Sequence, residues 1–443
     1  MTPQGDPLFD ALIDWLRIPS ISTGGGDPAD LERAAAWVVD RVVAAGGTAG
    51  LERPDGANPL AVGELRAART DAPTVLIYGH YDVQGPGPLE RWTTPPFEPA
   101  VRDGRVYARG AADDKGNFLP LLHVACELAR AGTLPVHVRV LVEGEEEMGS
   151  AGVSAWVRSD TRGADCALVF DADMVDERTP AITLGLRGMV MAELTVRTAA
   201  RDLHSGLYGG VAHNALHVLH GMLAAVLPGP DGRVRAELRE GIAPPSPAEL
   251  ESWARLPDGT AELAEAGALG VTASAAAELR ARTGADASLD VNAIAGGEAR
   301  TIVPAQARAT LSVRLAPGQD PDRIAATLER LLRAAAPAGA EVGFSAIQAA
   351  PALFEPELPA VRLARDALER ACGTAPALVR SGGSIPVVAE FARAGIPTVV
   401  TGFVLSQDAF HAPDESFRLE GLRLGAVAAG ELYAALARLP AAV

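Results

Sequence analysis

Val75-Leu76-Ile77-Tyr78-Gly79-His80-Tyr81-Asp82 joins an unbroken apolar run to two side chains able to serve a metal. A run that is apolar at every position, with no alternation, predicts a central strand of a parallel sheet covered on both faces. Val136 to Val142 and Ala167 to Phe170 read the same way. Helices are predicted around them, over Asp27 to Ala45, Asn117 to Ala131 and Ala151 to Arg158; the first has Asp27 as cap, Pro28 at its first position and Gly46-Gly47 to end it. This alternation is the doubly wound α/β pattern, with a mainly parallel sheet, in which ligands gather beyond the carboxyl ends of the strands. His80, Glu146, Glu147 and Asp171 all fall at such ends.

From about Leu184 the texture changes. Met189 to Thr198 and Ala307 to Leu315 alternate apolar and polar, as half-exposed antiparallel strands do. Helices near Asn214 to Val226 and over Pro321 to Ala335, with a short strand at Val342 to Ser345, complete an α+β insert; Pro228 to Ala287 gives no clear period. The α/β pattern then resumes with helices over Leu358 to Ala371 and Glu420 to Leu436 and a buried strand over Thr398 to Val404. The expected architecture is a catalytic domain, 1–184 and 351–443, interrupted by an inserted domain, 185–350. A length of 443 residues fits two cores, and 48% hydrophobic residues suffice to fill them.

A net charge of −17 argues against nucleic acid or an anionic membrane as partner. Cys126, Cys166 and Cys372 are odd in number and lie in apolar contexts, as reduced buried thiols do, which suggests a cytoplasmic protein. Met1 to Asp6 carries no basic leader-like stretch, and no run reaches the roughly 18 apolar residues of a membrane span.

Five candidate ligands stand out: His80, Asp113, Glu147, Asp171 and His411. Two His and three carboxylates without Cys suit zinc, manganese or cobalt. Each has a plainer reading. His80-Tyr81-Asp82 places both polar side chains on one side of an extended segment, so Asp82 can fix the ligand's tautomer, yet alone it fits a loop hydrogen bond. Arg109 to Gly116 is a Gly-bounded turn entering a helix, where Asp113 can bridge two ions or cap the helix. Glu145, Glu146 and Glu147 raise one another's pKa, a cost that a nearby cation relieves. Of these three Glu145 reads as solvated, and one of the others can bind metal while its neighbour faces the water. Asp171 and Asp173 are equivalent by spacing, His411 is a lone loop histidine, and His123 and His137 read as structural.

Together these stretches resemble the dinuclear metallopeptidase and amidohydrolase family of carnosinase-type dipeptidases, acetylornithine deacetylase, succinyl-diaminopimelate desuccinylase, aminoacylase and glutamate carboxypeptidase, with the cytosolic nonspecific dipeptidase branch nearest. The resemblance rests on Gly79 to Gln84, Arg109 to Gly116, Glu143 to Ser150, Gly185-Leu186-Arg187-Gly188, Asp202-Leu203-His204-Ser205-Gly206, Gly382-Gly383-Ser384-Ile385-Pro386 and His411, in the family's order. It departs at Phe354-Glu355-Pro356-Glu357, which lacks a substrate-contacting His often found in the dipeptidase branch and so weakens the case for carnosine-like substrates. Glu145 and Met148 also stand where other residues are usual.

The resemblance implies two divalent ions per subunit, one held by His80, Asp113 and Asp171 and one by Asp113, Glu147 and His411, with the Asp113-Asp114 peptide cis. Glu146 would be the general base for a water activated by the two metals, and Asp82 would orient His80. Arg314 would read the substrate's free carboxylate, with Gly383 and Ser384 lining the substrate. The insert would serve as lid and homodimer interface, His204 reaching the neighbour's site to steady the oxyanion. The implied reaction is amide hydrolysis of dipeptides or related small peptides with a free C-terminal carboxylate; the alternatives are an N-acyl-amino-acid deacylase and, from another class, a catalytically silent binding relative.

Overall fold

The computed structural model describes residues 5–440, so the first four residues read for a leader lie outside it. The chain forms two compact units. One comprises the residues up to Leu184, Phe354–Val379 and the chain from Ile385 onward; the other comprises Gly185–Leu353 and Arg380–Ser384.

The first unit is built on a sheet whose strands run in the order Thr48–Glu52, Leu60–Leu65, His137–Glu143, Thr74–His80, Cys166–Phe170, Thr398–Thr401 and Ala181–Leu186. Four central strands are parallel: Thr74–His80 lies between His137–Glu143 and Cys166–Phe170, and Thr398–Thr401 pairs with the latter. Leu60–Leu65 and Thr48–Glu52 extend one edge antiparallel. Val75, Leu76, Ile77 and Tyr78 are buried, as a strand covered on both faces requires. The helices Pro28–Ala44, Lys115–Arg130, Pro359–Cys372 and Leu419–Leu436 bury their apolar sides. Asp27 caps the first, its carboxylate accepting from the Ala29 N–H. The fold is therefore the expected α/β class.

The second unit carries a four-stranded antiparallel sheet in the order Ser288–Gly296, Gln306–Leu315, Gly188–Arg197, Glu341–Ala349. Val190, Ala192, Leu194 and Val196 face a core closed by the helices Ala215–Ala224 and Pro321–Ala335. This unit reaches beyond the 185–350 read from sequence. Ala352 and Leu353 pair with Leu186 and Gly185, and the Arg380 guanidinium is bound by Glu249 at 2.6 Å and by the carbonyls of Ala243 and Pro244. Glu249 is itself fixed in a capping box with Ser246 at the start of the helix Pro247–Trp253, inside the span that gave no period. Among the described residues no helix is long and apolar enough to cross a membrane.

Candidate active site

The site is assembled at the carboxyl ends of the parallel strands of the first unit. His80 is the last residue of its strand and is fully buried. Its Nδ1 lies 3.0 Å from the backbone carbonyl of Asp82, so Nδ1 carries the proton and Nε2 is left as a donor toward a metal. The Asp82 carboxylate is 3.4 Å from the same Nδ1. The Asp82 oxygens also accept from the Glu146 and Glu147 N–H groups at 3.3 and 3.2 Å and from Ser22 Oγ at 2.6 Å.

Asp113 stands between the two histidines, Oδ1 being 3.0 Å from His80 Nε2 and Oδ2 2.9 Å from His411 Nε2. It caps no helix, because the next helix begins at Lys115 with Asp114 in the cap position. The Asp113-Asp114 peptide is cis. Glu147 Oε2 is 3.1 Å from His411 Nε2 and accepts from Gln84 Nε2 at 2.8 Å. Asp171 follows its strand, its N–H bonded to the Thr401 carbonyl at 3.0 Å. Two triplets of donors result, His80 with Asp113 and Asp171, and Asp113 with Glu147 and His411; within each the donor atoms lie within 4.8 Å of one another. Asp171 belongs to a triplet; Asp173 instead forms a β-bridge to Val404.

Electrostatics favours a cation here. Burial raises the Asp171 carboxyl well above its usual range, and the charges of Asp113, Glu146 and Glu147 add to this against the effect of His80. Burial likewise pushes Glu146 up to about 8, with Asp113, Glu143 and Glu147 adding to it and His80 opposing. His80 shows the converse: burial alone would lower it, but hydrogen bonds to Asp113 and Asp82 hold it well above the ordinary imidazole value. Asp114 is buried, with one carboxylate oxygen bonded to the His80 N–H and the other unpartnered. Carboxylates crowded this closely cost free energy unless positive charge sits among them, and the donor set of His nitrogens and carboxylate oxygens fits a divalent ion.

Glu145 is not the solvated residue that its position suggests. Its oxygens accept from the N–H groups of Asn58 at 2.8 Å and Gly152 at 3.1 Å, tying a neighbouring loop to the start of the helix Ala151–Ser159. His137 is structural as expected, its Nδ1 accepting from the Ala67 N–H. Nothing in the sequence sets Glu415 or Ser22 apart from other loop acids and hydroxyls; Glu415 accepts from Arg109 and from three backbone N–H groups of the Asp113 loop.

The remaining candidates belong to the second unit. His204 is exposed and accepts through Nδ1 from the Gly206 N–H at 3.0 Å. Arg314 lies 3.4 Å from Ser384 Oγ, and no described carboxylate forms an ion pair with it. The Ser384 hydroxyl donates to the Arg187 carbonyl at 2.6 Å, while the Gly383 N–H donates to Ser381 Oγ.

Comparison with known proteins gives the family. The chain is 28% identical over 432 residues to a cysteinylglycine-S-conjugate dipeptidase of Corynebacterium striatum, covering 95% of this chain and 90% of that one. It is 27% identical over 354 residues to the Cys-Gly metallodipeptidase dug1 of Schizosaccharomyces pombe, covering 72% and 70%. A crystal structure of an M20 family metallo-carboxypeptidase from Sulfolobus solfataricus superposes with a TM-score of 0.88 at 26% identity, over 98% of this chain and 99% of that one. The profile of peptidase family M20/M25/M40 spans residues 76–435, from the first buried strand through His411 to the last helix, and the chain accordingly belongs to that family, as a metallopeptidase that acts on peptide bonds.

Proposed function

We propose that the chain hydrolyses dipeptides, or peptides of similar size, that end in a free carboxylate, at a site for two divalent ions with Glu146 as general base. The observation that carries this reading is the pair of donor triplets sharing Asp113, with Glu146 beside them and outside both. His80, Asp113 and Asp171 would hold one ion and Asp113, Glu147 and His411 the other, zinc or manganese suiting the donors, with cobalt a further candidate. Such ions, when bound, polarise the scissile carbonyl and acidify water.

The side chains supply the rest. Burial and the neighbouring carboxylates raise the Glu146 carboxyl to about 8 in the metal-free fold; cations beside it would favour the ionised form, which can take a proton from the attacking water and return it to the leaving amine. Asp82, by gripping both N–H groups at 146 and 147, keeps base and ligand in register. In the neutral His204 ring, Nδ1 accepts, so Nε2 carries the hydrogen and is a ready donor to a developing oxyanion. Leu207, Tyr208 and Val211 are exposed close to His204 in the chain, which supports coverage by a second copy and a homodimer in which His204 acts on the partner's substrate. The insert is then both lid and dimer surface. Arg314, with no ion-paired carboxylate among the described residues, is suited to the substrate's carboxylate, with Gly383 and Ser384 along the substrate. The names of the Corynebacterium and yeast relatives both specify dipeptides, which supports a dipeptide over an N-acyl amino acid. Three free thiols, two of them buried, suit the reducing cytoplasm.

The test is a panel of Ala-Ala, Gly-Leu and Cys-Gly, their C-terminal amides, and N-acetyl amino acids, assayed with zinc and with manganese. Free dipeptides should be preferred over their amides by about a hundredfold, as expected when a charged hydrogen-bonded contact worth roughly 3 kcal/mol is lost. Faster turnover of N-acetyl amino acids would make the chain a deacylase, and equal cleavage of amides would remove the role given to Arg314.

A further inference from the structure

Two loops that carry metal donors hang from one buried carboxylate. Glu415 is fully buried, and both of its oxygens are engaged. Oε1 accepts from the N–H groups of Ala112 at 2.8 Å and Asp113 at 3.1 Å, and Oε2 from the Gly110 N–H at 3.0 Å and Arg109 Nη1 at 2.7 Å. Arg109 is held in turn by the Gly85 carbonyl and lies over the Trp92 ring. Four residues before Glu415 the chain carries His411. Asp414, immediately before Glu415, accepts from the Thr93 N–H at 2.9 Å and from Thr93 Oγ1 at 2.6 Å.

The loop so anchored is not at ease. Ala409, His411 and Asp414 have φ of 56°, 62° and 60°, a left-handed conformation that costs a residue with a Cβ roughly 1–2 kcal/mol. Backbone of this kind persists only where its surroundings over-determine it. A carboxylate buried with a cation and three amide donors is a costly device merely for closing a loop, since apolar packing of similar volume stabilises as well. Its particular effect is to fix the Asp113 loop and the His411 loop against each other, and these are the loops whose side chains meet at 2.9 Å.

We propose that Glu415 is a positioning residue of the metal site, holding Asp113 and His411 at the spacing an ion requires before the ion arrives. This rests on the reading of those two residues as ligands. The competing explanation is that Arg109 and Glu415 are one more buried ion pair contributing only to stability.

The two are separated by measuring zinc affinity of the metal-free protein by chelator competition, together with the visible spectrum of the cobalt-loaded form, which reports ligand geometry. Glu415→Gln keeps the size but turns one oxygen into a donor facing donors. Folded Glu415→Gln should bind zinc about 10- to 100-fold more weakly, the range typical for loss of a partner that orients a ligand, with an altered cobalt spectrum. Glu249→Gln, which breaks the buried pair with Arg380 in the second unit, should lose stability and keep wild-type zinc affinity and spectrum. Wild-type affinity in folded Glu415→Gln, or an equal loss in Glu249→Gln, would overturn the proposal. Should Glu415→Gln not fold, Glu415→Asp, which keeps the charge opposite Arg109 but is one methylene shorter, is read by the same two outcomes. Asp113→Asn and His411→Ala are measured alongside: unchanged zinc affinity in both would mean that the ligand reading itself has failed, whatever Glu415 does.

Discussion

Glu146 and Glu147 share a peptide bond, and both of their N–H groups point at the carboxylate of Asp82, yet only Glu147 belongs to a group of side chains that could hold a metal ion. Glu146→Gln keeps size and hydrogen bonding but cannot accept the proton, so turnover should fall by at least about a hundredfold while elemental analysis finds full metal content. Glu147→Gln should lose metal first. If the first variant lost metal and the second kept it, the two roles would be exchanged. Arg314→Lys keeps charge and loses the planar two-pronged donor, so it should raise KM for free dipeptides and leave the already poor cleavage of their amides unchanged. A uniform fall in kcat for both substrate types would instead point to a disturbed fold.

The elements that present these residues are closely fitted at the strand ends. A Cβ on Gly144 would lie 2.2 Å from the hydroxyl of Tyr81 and 2.3 Å from its ring, and that hydroxyl is anchored to the Pro59 carbonyl. Gly144→Ala should therefore cost roughly 1–3 kcal/mol, read as a lower denaturant midpoint, and should weaken metal binding by displacing the turn that carries Glu147. A midpoint within error of wild type would show that the turn gives way freely. The elements were legible where burial is complete or strictly alternating: Thr74–His80, Cys166–Phe170, Gly188–Arg197 and Pro321–Ala335 announce themselves. Thr48–Glu52 and Ser288–Gly296 do not, because they are edge strands whose residues stay largely partly or fully exposed and leave no apolar period. The helices Pro247–Trp253, Thr260–Glu265 and Leu279–Gly284 span two turns or fewer, too short to show one. The candidate donors His80 and Asp113 stand out in the sequence through the motifs that carry them. Glu415 and the structural task of Glu145 arise from contacts between distant segments, which spacing does not record.

At the scale of the whole molecule, the acid-rich site couples metal to stability and pH. Burial pushes Glu143 and Glu146 each to about 8 from an ordinary 4.5, so the folded metal-free protein binds protons that the unfolded chain gives up. The stabilisation they contribute is full below about 4.5 and is lost as pH rises toward 8. The thermal midpoint of chelator-stripped protein should fall between pH 5 and pH 8, and the gain from added zinc should widen over the same range. A gain independent of pH would argue that these carboxyls do not sense the ion. Assembly has its own test in two disabled variants. Mixing inactive His204→Ala with inactive Glu146→Gln under subunit exchange should restore about a quarter of wild-type activity, since about half the dimers are mixed and each holds one complete site. No recovery despite demonstrated exchange would confine His204 to its own turn.

The pairing of Thr398–Thr401 with Cys166–Phe170 sets an order on the chain's birth at the ribosome. The antiparallel sheet of the second unit uses only residues between Gly188 and Ala349, so it is free to form as soon as that stretch has emerged. The parallel sheet has to wait: its Cys166–Phe170 strand, already synthesised, keeps one hydrogen-bonding edge unfilled until a segment more than two hundred residues downstream arrives. Non-local pairing of this kind is slow and leaves apolar strand exposed in the interval. His411 emerges later still, so a nascent chain can complete its second candidate donor triplet only after that residue has been made. Arrested chains that stop between Ser384 and Thr398 should thus contain a protease-resistant second unit beside an open, chaperone-dependent first one.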